Sequence, residues 1–592
     1  MQSAETVLGV LRERGRNGLP CDELYRQLFN RDLYLLFVDG NIYGNTGAMT
    51  PGTSDETADG MSEAKIEAII EAMRRERYRF VPARRMFIPK KNGKQRPLGL
   101  PTWSDKLVGE VVRLLLEAYY EPAFSGRSHG FRKGRGCHTA LREIQRGWTG
   151  TVWFIEGDIS DCFGEIDHDI LVGILAEKIH DNRFLRLIRN MLKAGYLEDW
   201  QYHESPSGTP QGGVLSPLLS NIYLHKLDEF VEQELIPKYN RGDHRKTNPD
   251  YERTRARARR ARKRGNREQS RELVKQMRAI PSGDPMDPGY RRLHYIRYAD
   301  DQLLGFIGPK AEAEAIKTAV ARFLREALKL ELNTGKTLIT HARTRAARFL
   351  GYDIIAQHSD TKITNGRRSV NGTIALRVPG EVIKAQSTRY RRHGKPWHRP
   401  ELQNLPDYDI VRIYGAQYRG VVNYYLLAQN VWRLGYLCWN AETSLLKTLA
   451  AKHSSTVPKM AARYKAKIET PDGPRTCFEA RVRREGKKDL VARFGGIPLR
   501  QNRDAVITDP VPVPVPLPRK ELIQRLRRRW CELCEHGATV AVHQVAKLAR
   551  LGTPGPRQPG WAALMARKRR KTLVVCQPCH EVIHATPVAN TA

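Results

Sequence analysis

The chain has 592 residues, 40% of them hydrophobic, and a net charge of +36 from 100 Lys and Arg against 64 Asp and Glu. This length exceeds what one hydrophobic core organises, so we expect roughly three or four domains. The charge favours a polyanionic partner, with nucleic acid as the leading class, over a basic surface that serves solubility alone. No run approaches the roughly 18 apolar residues of a membrane span, and "MQSAETVLGVLRERG" lacks a signal-peptide core. These features exclude a membrane protein and predict a cytoplasmic one.

The first two thirds of the chain have the pattern of an α/β protein. Residues 1–80 are mostly helical in pattern, with a Gly- and Asp-rich loop near 44–60. Residues 81–350 alternate short apolar runs with helical patterns, which predicts an α/β core. Within it, 237–292 is typical of an insertion. Its segment "RTRARARRARKRGNREQSRELVKQ" (253–276) is a very basic helix that either contacts phosphates or presents a solvated face.

The last third combines amphipathic helices, a linker and a cysteine-rich end. Residues 401–470 have helical, amphipathic patterns, and "DPVPVPVPLP" (509–518) is typical of an extended linker. Of the nine cysteines, five are scattered and the last four form two close pairs, Cys531 with Cys534 and Cys576 with Cys579. This usage predicts a reducing compartment and one metal site in place of a disulfide framework.

Two adjacent carboxylates interrupt an apolar stretch of this basic chain. Asp300 and Asp301 lie within "YIRYADDQLLGF" (295–306), and "WFIEGDI" (153–159) is typical of a buried strand that carries Asp158 near its end. An Asp-Asp pair alone is more often an exposed turn. If the two segments pack side by side, however, three carboxylates converge, and such a cluster is unfavourable without cations. Two Mg²⁺ ions about 4 Å apart would neutralise this cluster and would catalyse phosphoryl transfer.

Neighbouring segments add groups suited to nucleotide binding. "SGTPQGGVLSPLLSNIYLHKLD" (207–228) offers a Gly-rich turn into a helix, which permits close backbone approach to a nucleotide. "RRMFIPKKNGKQRPLGLP" (84–101) predicts a strand, an Asn-Gly turn and a second strand. It carries Lys90 and Arg96, cations able to meet triphosphate oxygens. "LELNTGKTLITHARTRAARFLGYDI" adds Lys336.

The order and content of these segments resemble the reverse transcriptases of the group II intron-encoded family. Residues 81–354 carry blocks similar to those of the family in this order: "RRMFIPKKNGKQRPLGLP", "SHGFRKGRGCHTAL" (128–141), "EGDISDCFGEIDH", "SGTPQGGVLSPLLSNIYL", "YADD" and "FLGY" (349–352). One departure is Gln302 after "YADD", where the family leads us to expect Phe. We expect this change to affect packing behind the turn and to leave metal binding intact.

The resemblance implies a role for each candidate residue. It implies catalytic Mg²⁺ ligands at Asp158, Asp300 and Asp301, a steric gate against a 2′-hydroxyl at Phe163, triphosphate contacts at Lys90 and Arg96, nucleotide contacts at Gln211 and Lys336, and a primer grip at "FLGY". The alternatives are that Phe163 is a core residue and that the side chains of Lys90 and Arg96 are solvated. The family also implies intron RNA, target DNA and dNTPs as partners, and a bacterial cytoplasmic protein that joins the nucleoid when it acts on DNA.

The resemblance also implies the fold class and its divisions. We expect a multidomain α/β protein with right-hand polymerase fingers and palm, a helical thumb, and a small zinc-bound ββα-metal domain. The expected divisions are 1–80 as an RNA-binding N-terminal extension and start of the fingers, 81–355 as fingers and palm, 356–475 as thumb and maturase, 476–528 as basic DNA-binding region and linker, and 529–592 as the HNH-like domain.

The C-terminal cysteines and histidines predict two metal sites. Two Cys-x₂-Cys pairs, Cys531 with Cys534 and Cys576 with Cys579, have the spacing of a structural Zn²⁺ site. The segment also resembles an HNH endonuclease, and in that fold His543, His580 and His584 match the ligands of a catalytic Mg²⁺. The position of the general base holds Gln544, which cannot accept and hold a proton near neutral pH. We therefore predict DNA binding with weak or absent cleavage, unless a shifted histidine such as His536 substitutes.

The leading hypothesis is that the protein is an RNA-directed DNA polymerase of a mobile group II intron. On this hypothesis it also acts as a splicing maturase and supports target-primed retrotransposition. One alternative is a host-domesticated defence reverse transcriptase, against which the C-terminal module argues. Another is a maturase that acts only as an RNA-binding splicing factor, against which the three aspartates argue. A viral RNA polymerase is disfavoured, because bulky Phe163 should reject ribonucleotides.

Overall fold

The computed structural model describes residues 2–41, 49–89, 93, 95–198, 201–205, 207–208, 213–285, 287–359, 361–364, 367–471, 473–484, 488–507, 521–546, 548–551 and 558–586. The expectations for Lys90, for Gln211 and for the linker at 509–518 lie outside these residues. Among the described helices, none is long and apolar enough to cross a membrane.

Helices and short strands alternate along the chain, which confirms the mixed α/β content predicted from the sequence. The helices are α1 (Ala4–Arg16), α2 (Arg31–Asn41), α3 (Glu63–Arg74), α4 (Trp103–Tyr120), α5 (Cys137–Gly147), α6 (His168–Ala176), α7 (Asn182–Leu192), α8 (Ser216–Phe230), α9 (Ile236–Tyr239), α10 (Pro249–Lys263), α11 (Arg267–Ala279), α12 (Lys310–Leu328), α13 (Gly380–Thr388), α14 (Asp407–Tyr424), α15 (Gly435–Lys452), α16 (Val457–Tyr464), α17 (Glu521–Arg527), α18 (Gly560–Lys568) and α19 (Gln577–Ala585). The strands are β1 (Met61–Ser62), β2 (Ala83–Pro89), β3 (Gln95–Leu100), β4 (Trp153–Asp158), β5 (Tyr196–Glu198), β6 (Gln201–His203), β7 (Arg292–Tyr298), β8 (Asp301–Ile307), β9 (Ile339–His341), β10 (Ala347–Phe349), β11 (Tyr352–Ala356), β12 (Ile363–Thr364), β13 (Arg367–Arg368), β14 (Ile374–Arg377), β15 (Arg391–Arg392), β16 (Lys395–Pro396), β17 (Lys465–Ile468), β18 (Arg475–Val482), β19 (Leu490–Gly495), β20 (Val540–Gln544) and β21 (Thr572–Cys576).

The N-terminal helices begin at hydroxyl caps that satisfy otherwise unpaired N–H groups. Ser3 caps α1, Ser62 caps α3 and Thr102 caps α4, each through a side-chain oxygen that accepts from a backbone N–H of the first turn. Helices α1 and α2 pack against α4, whose residues are almost all buried. The predicted helical character of this region is thereby confirmed.

The central sheet has the order β7-β8-β4-β9, with antiparallel neighbours. Successive side chains of a strand point to opposite faces, and here the two faces belong to different cores. Ile155 and Leu304 join the core that contains the N-terminal helices. Phe154 and Leu303 join the core that contains α14 and α15. The sheet therefore fastens the two halves of the protein to each other.

A second sheet, of order β3-β2-β5-β6, begins with the hairpin predicted from 84–101. Strands β2 and β3 are antiparallel, with Arg84 opposite Leu100 and Pro89 opposite Gln95. Strand β5 extends the sheet in parallel at Ala83. The predicted strands are confirmed for the residues that the structure describes on either side of the turn.

The predicted insertion forms a helical hairpin of α10 and α11. Its base is closed by an isolated antiparallel bridge between Arg241 and Arg291. The hairpin has a small core of its own, formed by Ala258, Ala261 and Leu273. Most other side chains of α10, including its arginines, are exposed, so the basic helix presents its charge to solvent.

Helices α14, α15 and α16 pack with the sheet β17-β18-β19. Gly415 of α14 lies so close to β19 that an added Cβ would be 2.1 Å from the carbonyl oxygen of Arg493, and Phe494 is fully buried. The boundary expected between the thumb and the DNA-binding region, at 475–476, coincides with the start of β18. The packing of the helical region therefore continues to Gly495, because β18 and β19 supply part of its core.

The C-terminal domain consists of β20, β21, α18 and α19 around a small core. One face of its sheet, with Val540, Val542 and Val574, joins the N-terminal core. Strand β1 pairs with β20, so the three-stranded order is β1-β20-β21. Helix α17 packs against α2. The domain is thus docked on the N-terminal helices.

Candidate active site and metal centres

The central sheet brings the predicted aspartates to one end of two neighbouring strands. Asp158, the last residue of β4, stands directly opposite Asp301, the first residue of β8. Asp300 immediately precedes Asp301 in the turn after β7. Ala299 has a φ of 53°, a left-handed conformation that a residue other than glycine adopts at a cost. The turn is thus held in shape by its surroundings.

The three carboxylates resist ionising together. Burial first, then the charges of Asp300 and Asp158, raise the pKa of Asp301 to about 7. Burial, with a contribution from Asp158, also raises the pKa of Asp300, while Lys336 and Arg96 oppose the shift. Partly buried like charges of this kind are relieved by bound cations. The arrangement therefore suits divalent metal ions.

Lys336 contacts this cluster from the loop between α12 and β9. Its Nζ lies 2.9 Å from Oδ2 of Asp158, and the backbone N–H of Asn333 donates to the carbonyl oxygen of Asp158 (2.8 Å). The Lys336 side chain is 67% exposed, so this ion pair adds little to stability. The ammonium thus lies at the solvent-exposed edge of the carboxylate cluster.

A fully buried network beneath the turn was not anticipated from the sequence. Arg297 donates from Nε and Nη2 to the carboxylate of Asp228 (2.8 and 2.6 Å) and from Nη1 to the carbonyl oxygen of Ala299 (2.9 Å). Tyr295 donates its hydroxyl to the same carboxylate (2.8 Å). The signal in "YIRYADD" was a charged Arg at an inward position of a buried strand. Such a residue requires a buried partner.

Phe163 lies in the turn after β4 and is half-buried. The chain at Gly208 packs against it: an added Cβ on Gly208 would lie 2.8 Å from the carbonyl oxygen of Phe163. Gly208 has a φ of 86°, so both its conformation and its surroundings require glycine. The first described residues of the predicted segment 207–228 thus pack against the chain at Phe163.

The "FLGY" segment is tied to the end of α14. Tyr424 donates its hydroxyl to the carbonyl oxygen of Leu350 (2.8 Å), and Tyr425 donates to that of Gly351 (3.0 Å). Leu350 and Gly351 both have positive φ, and these hydrogen bonds hold the turn in that conformation. The tyrosines of "YRGVVNYYLLAQN" therefore position the turn expected to grip the primer.

Gln302 lies behind the aspartate turn, as expected. It stands opposite Gly157, where an added Cβ would be 2.6 Å from Cγ of Gln302. Gln302 is 2% exposed, and neither atom of its side-chain amide has a hydrogen-bond partner among the described residues. A buried amide of this kind costs stability.

The four C-terminal cysteines converge. Their sulfur atoms all lie within 4.8 Å of one another, and those of Cys534 and Cys576 are 3.8 Å apart. A tetrahedron with Zn–S bonds of about 2.3 Å has sulfurs roughly 3.8 Å apart. Burial opposes ionisation of Cys531, but backbone N–H groups outweigh it and lower the pKa of this thiol to about 6. The donor set and its geometry fit a zinc ion.

The three predicted histidines also converge, together with Asp59, which the sequence did not indicate. One ligand atom from each of His543, His580, His584 and Asp59 lies within 4.8 Å of the others. Burial opposes ionisation of Asp59, but interactions with His543 and His580 hold the pKa of Asp59 well below its usual range. Gln544 is buried at the end of β20, beside this cluster.

Comparison with known proteins covers nearly the whole chain. Residues 88–354 match the family described as reverse transcriptase (RNA-dependent DNA polymerase), residues 378–490 match type II intron maturase, and residues 531–580 match AI2M/AI1M-like, HNH endonuclease. The group II intron-encoded protein LtrA of Lactococcus lactis subsp. cremoris is 39% identical over 585 residues, which span 95% of each chain. The chain belongs to the group II intron-encoded proteins.

One further relative and one solved structure also show similarity to this chain. A 91 kDa protein in the cob intron of Schizosaccharomyces pombe is 33% identical over 598 residues, or 98% of this chain and 72% of that protein. A solved structure of telomerase from Candida tropicalis with a fragment of telomeric RNA covers 65% of this chain and 55% of its own, with 12% identity and a TM-score of 0.33. At that score the likeness carries no structural argument.

Membership confirms the reverse transcriptase and maturase predicted from the sequence, while target-primed retrotransposition stays a prediction. This group II intron-encoded protein is an RNA-directed DNA polymerase and maturase with an HNH-like domain at its C-terminal end. Its maturase region implies binding of intron RNA. The sequence did not point to three residues of these sites, Asp228, Arg297 and Asp59, because each contacts a segment that is distant along the chain.

Proposed function

We propose that DNA synthesis occurs at Asp158, Asp300 and Asp301, with Mg²⁺ as the metal. The observation that supports this most directly is the pairing of Asp158 with Asp301 across β4 and β8, together with the raised pKa of Asp300 and Asp301. When bound, Mg²⁺ would supply charge neutralisation and orient the attacking and leaving oxygens of phosphoryl transfer.

The other residues would bind and select the nucleotide. Lys336 and Arg96 lie near enough to the carboxylates to oppose the pKa shift of Asp300, and each can donate hydrogen bonds to a triphosphate oxygen. Phe163 would exclude ribonucleotides by occupying the space of a 2′-hydroxyl. Lys90 and Gln211 keep their predicted roles as nucleotide contacts.

Primer extension on an RNA template with Mg²⁺ tests the site. Asp301→Asn should lower the rate about a hundredfold or more, since removal of a metal ligand forfeits several kcal/mol of transition-state stabilisation. Asp169→Asn is the matched control, because Asp169 is an 84% exposed carboxylate on α6. Wild-type protein that makes no cDNA on varied primers would overturn the proposal and favour a splicing factor that only binds RNA.

The same protein would hold intron RNA and target DNA through its basic surfaces. The exposed arginines of α10 are suited to phosphate contact, and the region 476–528 keeps its predicted role in DNA binding. We place the protein in the bacterial cytoplasm and, during target-primed retrotransposition, at the nucleoid. Replacing Arg255, Arg259 and Arg262 with Gln should reduce the salt dependence of RNA binding, because fewer counterions are then released. An unchanged slope would argue that α10 does not contact RNA.

The HNH-like domain would bind target DNA around a structural Zn²⁺ and cut it weakly or not at all. Gln544 lacks the basicity that water activation requires. His536, the other candidate base, uses its Nδ1 in a hydrogen bond with the carbonyl oxygen of Cys534 (2.6 Å). Nicking of the second DNA strand should rise in Gln544→His. Strong wild-type nicking that disappears in Gln544→Ala and survives His536→Ala would refute this account.

A further inference from the structure

The segment before α3 docks on the edge of the HNH-like sheet. Met61 pairs with Val542 and Ser62 with Ala541, and the backbone N–H of Gly60 donates to the carbonyl oxygen of Val542 (2.9 Å). Met61 is 1% exposed, so the segment is held between the C-terminal sheet and the N-terminal core. This pairing fixes the position of Asp59.

Asp59 reaches the centre of the histidine cluster. Its Oδ1 lies 3.1 Å from Nδ1 of His543 and 3.2 Å from Nε2 of His580, and its Oδ2 lies 2.8 Å from Nε2 of His584. The backbone N–H of Gln544 donates to Oδ1 (2.7 Å) and so orients the carboxylate. The Asp59 side chain is only 10% exposed.

The surroundings of His543 favour a bound cation at this cluster in addition to ion pairs. The residue is 5% exposed, and neither of its ring nitrogens makes a hydrogen bond within the part of the chain that the structure describes, although Nδ1 is near the carboxylate. A buried imidazole with both nitrogens unsatisfied is costly. A cation bound by Nδ1 or Nε2 would satisfy one of these two nitrogens and so reduce that cost, because metal binding uses the nitrogen lone pair.

We propose that Asp59, His543, His580 and His584 form one four-ligand cation site that clamps the C-terminal domain to the N-terminal segment. The inference rests on the HNH-like domain but does not depend on whether that domain cuts DNA. Three imidazoles and one carboxylate favour Zn²⁺ or Co²⁺ over Mg²⁺, which prefers oxygen ligands. Three histidine nitrogens and one carboxylate oxygen can supply the four ligands of a tetrahedral Zn²⁺ ion.

Metal content and hydrogen exchange of the full chain test the clamp. Wild-type protein should bind about two Zn²⁺ or Co²⁺ ions per chain, one at the cysteines and one at the clamp. Asp59→Asn should weaken binding of the second ion at least about tenfold, since even residues that merely support a ligand contribute that much. In wild-type protein, metal should slow exchange in a peptide that covers residues 59–62, and Asp59→Asn should abolish this effect.

Two further variants keep the test decisive. Asp55→Asn is the matched control, because Asp55 is an exposed carboxylate in the same loop, and it should behave as wild type. His584→Gln should reproduce the loss seen in Asp59→Asn at little risk to folding, since the His584 side chain is 55% exposed.

Two results would overturn the clamp. One metal per chain in wild-type protein would mean that Asp59 is an ion-pair partner of protonated histidine. Two metals per chain in both wild type and Asp59→Asn, with equal affinity and equal exchange, would mean that the histidines bind metal without Asp59. Neither readout involves polymerisation or nicking, so failure of the clamp is distinguishable from failure of the proposed function.

Discussion

Arg297→Met removes the cation from a pocket that has no access to water. Arg297 and Asp228 are both fully buried, and the guanidinium makes two of the hydrogen bonds that the Asp228 carboxylate accepts. In the variant, that carboxylate keeps the Tyr295 hydroxyl at 2.8 Å but loses its counter-charge. The carbonyl oxygen of Ala299 loses a donor at the same time.

The expected loss of stability is about 3–5 kcal/mol, because breaking a buried pair from one side leaves an uncompensated charge. Typical domains have about 5–15 kcal/mol of stability, so the central sheet should become susceptible to unfolding. Arg297→Met combined with Asp228→Leu should recover most of the loss, since apolar residues of similar volume often replace a buried pair without cost.

Pulse proteolysis across a urea series measures the stability of the variants, since it follows individual fragments in a multidomain chain. The double variant should regain protease resistance yet extend primers roughly tenfold to a hundredfold more slowly, because Ala299 still lacks its donor and small misplacements of reacting groups are costly. A single variant within about 1 kcal/mol of wild type would refute the reasoning. So would a double variant that is no more resistant than the single one.

Three further predictions concern the same site. The raised pKa of Asp301, about 7, means that its contribution to stability is present below about pH 4 and is lost as pH rises through 7. Thermal melts of metal-free protein should therefore show a decline over this range that Asp301→Asn lacks and that Mg²⁺ reverses at pH 8. Gln302→Met should raise stability by about 1–3 kcal/mol in pulse proteolysis, because it removes a buried amide without hydrogen bonds; a loss would mean that the amide has a partner. Phe163→Ala should admit ribonucleotides in competition assays, and unchanged selectivity would contradict its role as a gate.

Local patterns in the sequence predicted the features that depend on nearby residues. The strands on either side of the turn in 84–101 and the buried strand that ends at Asp158 follow from alternation, apolar content and turn chemistry. The convergence of the aspartates was a conditional expectation, and the pairing of β4 with β8 satisfies its condition.

Contacts between segments that are distant along the chain could not be predicted from the sequence. Arg297 and Asp228 are 69 positions apart, and Asp59 and Gln544 are 485 apart. Nothing in the local periodicity around Asp59 separates it from Asp55 in the same polar loop. Its burial arises only because β1 adds to the edge of another domain's sheet, and such pairing uses main-chain groups that carry no sequence signature.

The hydroxyls of Tyr424 and Tyr425 hold the main chain of Leu350 and Gly351. A substitution that reshapes the end of α14 would therefore also shift the turn at Leu350 and Gly351, which we expect to grip the primer. If this region also holds intron RNA, as we propose, one pair of hydroxyl groups couples the surface used in splicing to the turn used in copying. A change at either tyrosine should then alter both activities together.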